Sequence, residues 1–263
     1  RPGDRPLRRI VVRTAEFSGE VGVGLYARAG VSGLDRLAAR LMERVPELAG
    51  VVRLHSPHGR RGGTRAEVMA GRGWIVEQVA GFRLELPATS FLQVSRAAAE
   101  ALVERVAETA PALDGCHVLD LYGGVGLHAL TAVRGGAASA TVCEADVEAV
   151  RCGRETAARS RSSGVRYVHA DVGRFLARPA ARAAAPHWVI ANPPRSGLGT
   201  GVARAIRALG ACRLSLVSCD PATLARDLAL LVEGGRYGIE RIVPLDPFPQ
   251  TAHVEVVATL GAR

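Results

Sequence analysis

The chain has 263 residues, of which 48% are hydrophobic and 22% are charged, and its formal net charge is +9. The apolar fraction excludes intrinsic disorder, and the lack of a regular glycine period excludes a collagen-like fold. The longest uncharged run, residues 121–133, is short and interrupted by glycines, so a membrane span is excluded as well.

The positive charge is unevenly distributed along the chain. Residues 1–83 contain 15 arginines and 8 acidic residues, a net charge of +7, whereas residues 84–263 contain 19 arginines and 17 acidic residues. A basic first third beside a nearly balanced remainder is typical of a module that faces a polyanion such as nucleic acid. A solvated, arginine-rich surface is the alternative interpretation.

The cysteines predict neither a metal site nor a disulfide framework. There are five of them and no two form a CxxC pair: Cys116, Cys143, Cys152, Cys212 and Cys219. A zinc or iron–sulfur site needs a closer ligand spacing, and a disulfide-rich domain uses an even number. We therefore expect a reducing, cytoplasmic setting.

Residues 1–86 are predicted to form a small basic α+β domain. A helix is expected over 34–45, where Leu34, Leu37 and Leu41 recur at helical spacing. Short strand-like runs surround it at 7–13, 20–27, 51–55, 65–70 and 74–79.

Residues 87–263 predict a second domain with a different organisation. A helix over about 90–109 leads into β-runs that alternate with helical segments: 117–121, 140–143, 166–169, 188–191 and 214–218. Such alternation indicates βαβ units and a parallel sheet. The gap between the last two β-runs, 237–243 and 253–260, is too short for a crossover helix, so these strands should pair antiparallel. The prediction is a doubly wound, Rossmann-like α/β sheet with an antiparallel edge, in which the last strand is antiparallel.

Ligands of such sheets bind at the carboxyl ends of the strands. The first strand is followed by a glycine-rich turn, Asp120-Leu-Tyr-Gly-Gly-Val-Gly126, and the second ends at Glu144. Glycines let a ligand approach the backbone, and Glu144 is placed to accept hydrogen bonds from ribose hydroxyls. NAD and S-adenosylmethionine both fit this pattern, and a simple tight turn remains the alternative.

The third and fourth strands are followed by further polar residues. Asp171 could contact an adenine amino group or simply cap the helix that begins at Val172. The fourth strand leads into Asn192-Pro-Pro-Arg195, where the prolines fix an extended backbone. An aromatic residue in place of Arg195 would indicate methylation of an exocyclic base amine, so the arginine argues against that chemistry.

Two residues near the end of the chain are candidates for catalysis. Cys219 follows the fifth strand and precedes a helix start at Asp220-Pro221. The helix dipole favours a thiolate there, although Asp220 opposes it, so Cys219 is a candidate nucleophile rather than an inert core cysteine. Glu255 lies in an otherwise apolar stretch, where an acidic residue requires a role or a partner.

Taken together, these motifs resemble the RNA uracil-C5 methyltransferases, which form 5-methyluridine in tRNA and rRNA. The resemblance extends over essentially the whole chain and implies a class I methyltransferase fold that uses S-adenosylmethionine. Five segments carry it in the family's order: Ser90-Phe-Leu-Gln-Val94, 120–126, Asn192-Pro-Pro-Arg-Ser-Gly197, 218–227 and Phe248-Pro-Gln-Thr-Ala-His-Val-Glu255.

The resemblance also implies roles for individual residues. Cys219 matches the nucleophile that adds to uracil C6, and Glu255 matches the base that removes the C5 proton. The residues that match the family's S-adenosylmethionine contacts are Gln93, Tyr122, Glu144, Asp171 and Asn192. Asn192 replaces the family's usual aspartate, which removes a charge beside the cofactor, and Gly123 replaces a frequent cysteine, a change expected to be harmless.

The expected partner is RNA, with 23S rRNA favoured over tRNA, and we expect a monomer without membrane association. No cysteine precedes Cys116, so no iron–sulfur cluster is expected in this chain. Because the chain starts with Arg1, we expect an N-terminal truncation that removes an RNA-binding module. Two alternatives remain: another methyltransferase, acting on cytosine C5 or a small molecule, and a non-catalytic RNA-binding protein with the same fold.

Overall fold

The computed structural model describes residues 7–27, 31–55, 65–87, 95–179, 181, 185–247, 249–251 and 254–263. The chain divides into two compact units, Arg1–Phe91 and Leu92–Arg263.

The described residues of the first unit form a four-stranded sheet and one helix. The strands are β1 (Leu7–Thr14), β2 (Val21–Ala27), β3 (Leu48–His55) and β4 (Arg65–Gly71), in the order β1-β2-β3-β4. Helix α1 (Leu34–Arg44) connects β2 to β3, which pair in parallel, whereas β1 and β4 are antiparallel edges. The helix buries Leu34 and Ala38 against Leu25 and Val51 of the sheet.

A β-hairpin completes the first unit. Its strands are β5 (Trp74–Val79) and β6 (Phe82–Pro87), and only β5 was predicted from the sequence. The connecting residues Ala80 and Gly81 both have positive φ, 49° and 78°, which matches the right-handed twist of the paired strands. β6 has alternating burial, and the period-two signal is present in the sequence, where Arg83 and Glu85 alternate with Phe82, Leu84 and Leu86.

The second unit is built on a seven-stranded sheet. Its strands are β7 (His117–Leu121), β8 (Ser139–Glu144), β9 (Val165–His169), β10 (Trp188–Ala191), β11 (Arg213–Ser218), β12 (Tyr237–Leu245) and β13 (Glu255–Ala262). The strand order is β12-β13-β11-β10-β7-β8-β9. The helices formed by the described residues of this unit are α2 (Arg96–Ala107), α3 (Leu127–Arg134), α4 (Val147–Arg159), α5 (Val172–Leu176), α6 (Gly199–Leu209) and α7 (Pro221–Val232). The predicted doubly wound α/β sheet is confirmed.

The predicted antiparallel pairing of the last two strands is confirmed. β13 is antiparallel, but it lies between β11 and β12, and the edge of the sheet is β12. β13 is buried at seven consecutive positions, whereas β12 exposes residues 239–242. A strand that is apolar on both faces takes the inner position, and the strand with a solvated face takes the edge.

Helix α2 is shorter than predicted. It begins after Ser95, whose hydroxyl accepts a hydrogen bond from the N–H of Ala98 at 3.1 Å. The predicted start at Ser90 lies outside the described residues. Within the described ranges, no helix is long and apolar enough to cross a bilayer.

Candidate active site

The carboxyl ends of the parallel strands bring most of the predicted site residues to one edge of the sheet. Tyr122 follows β7, Glu144 ends β8, Asn192 follows β10 and Cys219 follows β11. Asp171 lies two residues beyond the end of β9. Gln93 lies outside the described residues.

The glycine-rich turn between β7 and α3 needs its glycines. Gly124 and Gly126 have positive φ values, and so does Tyr122, at 57°. A Cβ on Gly126 would lie 2.6 Å from Tyr167 Oη, and one on Gly123 would lie 2.7 Å from Val142 Cγ1. A side chain at position 123 therefore requires its neighbours to move in this chain.

Glu144 is fixed by the backbone and points into this turn. One carboxylate oxygen accepts a hydrogen bond from the N–H of Gly124 at 2.9 Å, and the other accepts from Ala145 and Asp146 at 2.7 Å each. Glu144 is only half-buried. Since a carboxylate offers about four acceptor sites, it retains capacity for a ligand hydroxyl.

Asp171 caps helix α5, which was one of its two predicted roles. Its Oδ1 accepts a hydrogen bond from the N–H of Arg174 at 3.0 Å, and the residue is exposed. The pKa of Tyr122 is raised to about 12. Burial is the main cause, and nearby negative charges, including that of Asp171, add to it. The neutral phenol of Tyr122 is thus available as a hydrogen-bond donor at this edge.

Cys219 lies between the end of β11 and a capped helix. Asp220 is the N-cap of α7, and its carboxylate accepts a hydrogen bond from the N–H of Thr223 at 2.7 Å, which lowers the pKa of Asp220. Pro221 occupies the first helical position. Cys219 is half-buried, so its position beside a rigid helix start is compatible with access to a substrate.

Glu255 reaches the same edge because β13 runs in the opposite direction. In the β11–β13 register the last pair is Ser218 with Val256, so Cys219, directly after β11, and Glu255, the first residue of β13, both adjoin that pair along the chain. Glu255 is 7% exposed and lines a cavity of about 340 Å³, a volume within the range of small-molecule sites. The other walls are mainly apolar, with Ala98 and Leu102 of α2 on one side and Pro247 on the other.

Sequence reasoning assigned no role to Asp120, which is fully buried beneath the glycine-rich turn. Its Oδ2 accepts a hydrogen bond from the N–H of Ala129 at 3.3 Å, and Oδ1 has no hydrogen-bond partner in the described part of the chain. Burial raises the pKa of Asp120 to about 7. The available signal was an acidic residue inside the apolar β7 run.

Asp227 on α7 was also missed. It is 1% exposed, and its Oδ2 accepts a hydrogen bond from the N–H of Leu198 at 2.6 Å, while Oδ1 accepts from Arg226. Arg226 also donates to the carbonyl of Ser196 at 2.7 Å. These bonds fasten the loop that begins at Asn192 to the helix that follows Cys219.

The residues present fit the adenosine-containing cofactor that the family resemblance implies. Glu144 is held in place with acceptor capacity to spare, and a Cβ on Gly124 would meet nothing within 4 Å, so open space lies beside the carboxylate. Tyr122 and Asp171 lie at the same edge. Among the described residues, no group of three or more His, Cys, Asp or Glu side chains could hold a metal ion.

Comparison with known proteins adds independent findings. Residues 183–263 match a family described as tRNA (Uracil-5-)-methyltransferase. An uncharacterized RNA methyltransferase of Thermotoga maritima is 34% identical over 261 residues, covering 97% of this chain and 57% of that protein. One from Gloeobacter violaceus is 36% identical over 260 residues, covering 97% and 55%. The chain thus spans a little over half the length of these relatives.

A solved structure shows the fold. The tRNA (uracil-54, C5)-methyltransferase of Pyrococcus abyssi, determined in complex with S-adenosyl-L-homocysteine, superposes with a TM-score of 0.75 at 24% identity, covering 97% of this chain and 59% of that one. The fold is therefore a class I methyltransferase fold, as predicted.

The family match and the named relatives support a place among the RNA uracil-5-methyltransferases, so the recognition of that family from the sequence motifs is confirmed.

Proposed function

We propose that this chain is the catalytic part of an S-adenosylmethionine-dependent RNA methyltransferase that forms 5-methyluridine through a covalent cysteine adduct. The main support is the β11–β13 register, in which Ser218 pairs with Val256, because Cys219 follows Ser218 and Glu255 precedes Val256 at the carboxyl edge. A nucleophile and a base on adjacent strands, at the edge that also contains Glu144, suit this chemistry.

The residues of the chain would act in order on a uracil ring. The Cys219 thiolate adds to C6, and the resulting enolate makes C5 nucleophilic. When bound, S-adenosylmethionine supplies an electrophilic methyl group. Glu255 then removes the C5 proton as a general base, the C5–C6 double bond re-forms and the bond from sulfur to C6 breaks. The thiolate is regenerated, and the proton taken from C5 passes from Glu255 to solvent, which restores the carboxylate.

The cofactor contacts are part of the same proposal. Glu144 would accept hydrogen bonds from the ribose hydroxyls, Asp171 would accept one from the adenine amino group, and Tyr122, Asn192 and Gln93 would complete the site. The basic residues 1–86 would contact RNA phosphates. As in the sequence analysis, we favour ribosomal RNA as the substrate and expect a cytoplasmic monomer.

The test uses RNA in which uridine is replaced by 5-fluorouridine. Fluorine cannot leave C5 as a proton does, so wild-type protein and S-adenosylmethionine should accumulate a covalent RNA adduct, visible as a band shift under denaturing conditions. Cys219→Ala should give none. The matched control is Cys212→Ala, because Cys212 is exposed and precedes β11 at the opposite edge. Parallel reactions with 23S rRNA and tRNA transcripts identify the RNA class.

An adduct that forms equally with Cys219→Ala would eliminate the proposed nucleophile. Tritium release from 5-tritiated uridine tests the base separately. Glu255→Gln should slow that release strongly, because an amide cannot accept the proton, and an unchanged rate would remove Glu255 from the mechanism.

A further inference from the structure

A basic groove lies on the second unit, away from the candidate active site. The groove has a volume of about 620 Å³ and lies between the end of α4 and the start of β9. Its polar lining consists of three arginines and two serines: Arg154, Arg161, Ser162, Ser163 and Arg166. None of its lining residues is acidic. The groove adjoins the amino end of β9, whereas the candidate site lies at the carboxyl ends, about 16 Å away along a five-residue strand.

The charges in the groove are not neutralised by neighbours. Arg161 and Arg166 are exposed and form no ion pair within the described ranges, and Arg154 donates to the carbonyl of Tyr167 at 3.0 Å. By contrast, Arg151 of the same helix is paired with two glutamates, at 3.1 and 2.8 Å. The guanidinium groups of the groove thus remain available to an anion.

Arg161 has a backbone conformation that favours glycine. Its φ is 55°, and it occupies the left-handed position that ends α4. The N–H of Ser162 donates to the carbonyl of Ala157 and the N–H of Arg161 to that of Ala158, which is the Schellman pattern. Glycine adopts this conformation without strain, whereas arginine does not. The presence of arginine at this position therefore indicates a role for its side chain.

We propose that this groove binds phosphodiester groups of the RNA substrate, as a site separate from the one that holds the reacting base. The inference rests on the proposed function for the identity of the polyanion. Guanidinium groups pair with phosphate oxygens through two parallel hydrogen bonds, and three of them in one open groove suit successive phosphates of a strand. The groove contributes affinity for RNA and takes no part in methyl transfer.

The test measures binding of a short fluorescent oligouridine, without S-adenosylmethionine, at several salt concentrations. The full chain with Arg161→Gly and Arg166→Ala should bind more weakly, and the slope of log affinity against log salt should fall by about 1.4, since each phosphate contact on a single strand contributes about 0.7. The control is Arg204→Ala, an exposed arginine on α6, which should leave the affinity and the slope unchanged.

A second measurement separates this role from a structural one. Arg161→Gly alone should raise the melting temperature by about 2–4 °C, because glycine relieves the left-handed strain, while it weakens RNA binding. The proposal is overturned if the variant with both Arg161→Gly and Arg166→Ala binds oligouridine as tightly as wild type does. It is also overturned if Arg161→Gly lowers the melting temperature, or if inorganic phosphate at equal phosphate concentration displaces the RNA fully. Wild-type protein that shows the salt slope but never methylates uridine would remove the proposed function and leave the groove intact.

Discussion

The buried carboxyl of Asp120 makes the free energy of unfolding depend on pH. This carboxyl lies beneath the glycine-rich turn, and burial raises its pKa to about 7, against 3.8 for an ordinary aspartate. The folded protein therefore retains a proton that the unfolded chain releases between about pH 4 and pH 7. The contribution of Asp120 to the free energy of unfolding is therefore fully present below about pH 4 and is lost as the pH rises from about 4 to about 7.

We predict that Asp120→Asn becomes stabilising relative to wild type as the pH rises. The amide stays neutral and can still accept the hydrogen bond from Ala129. The difference in unfolding free energy should grow between about pH 4 and pH 7, up to an upper limit of about 4 kcal/mol, and then stay constant. Urea unfolding at about pH 5 and about pH 8 measures it.

The difference in unfolding free energy between wild type and Asp120→Asn reports on Asp120 alone, because the other titrating groups are present in both proteins. Burial lowers the pKa of His128 to about 4, so that histidine destabilises the fold as the pH falls below its ordinary value of 6.5. Both proteins contain His128, and its effect cancels in the difference. Equal differences at the two pH values would mean that Asp120 is already ionised in the folded protein.

Candidate site residues could be selected from the sequence where the argument depends on the position of a residue along the chain. Cys219 and Glu255 were selected because one follows a strand and the other interrupts an apolar run. Their adjacency was not predictable from either segment alone, because it depends on the pairing of strands that are distant in sequence. The same holds for Asp120 and Asp227, whose burial depends on helices packed over them.

At the scale of secondary-structure elements, two helical glycines have opposite surroundings. A Cβ on Gly153 of α4 would lie 2.3 Å from Tyr167 Cε1 and 2.7 Å from the carbonyl oxygen of Val125. A Cβ on Gly201 of α6 would meet nothing within 4 Å. Gly153 therefore lets α4 approach β9 closely, whereas Gly201 has no such packing role.

We predict opposite signs for the two glycine-to-alanine substitutions. Gly201→Ala should stabilise the protein by about 0.5–1 kcal/mol, because alanine has the higher helix propensity. Gly153→Ala gains the same propensity but must displace Tyr167 and backbone, and should destabilise by about 1–3 kcal/mol. Urea midpoints of the two variants test this directly. A stabilising Gly153→Ala would show that α4 can move away from β9 at little cost.

The element order was largely predictable, and the sheet order was less so. The five parallel strands of the second unit are short apolar runs separated by helical segments, and that local pattern predicts βαβ units. The places of β12 and β13 were not predictable from the short connection between them. They depend on which strand is buried on both faces, and the signal for this in the sequence is the uncharged run 256–262 of β13 beside Glu240 and Arg241 of β12.

At the scale of the whole molecule, the charge of +9 is concentrated in residues 1–83, which contribute +7. In the first unit, Arg8 and Arg9 are exposed on the edge strand β1, together with Ile10 and Val12, which are 54% and 61% exposed. Arg9 lies over the ring of Tyr26 at 5.6 Å. Exposed arginine and apolar side chains on an edge strand, beside a half-buried aromatic residue of the next strand, are typical of surfaces that bind single-stranded RNA.

We predict that Arg8→Ala combined with Arg9→Ala weakens RNA binding and lowers the salt slope by about 1.4, because two phosphate contacts are lost. Affinity for S-adenosylhomocysteine should stay unchanged, since both residues lie outside the second unit. The matched control is Arg40→Ala with Arg44→Ala, which removes two exposed charges from α1 of the same unit. Fluorescence anisotropy with oligouridine and calorimetry with S-adenosylhomocysteine provide the two readouts. An equal loss in the control would assign the RNA affinity to net charge alone, and no loss in either would remove the first unit from RNA binding.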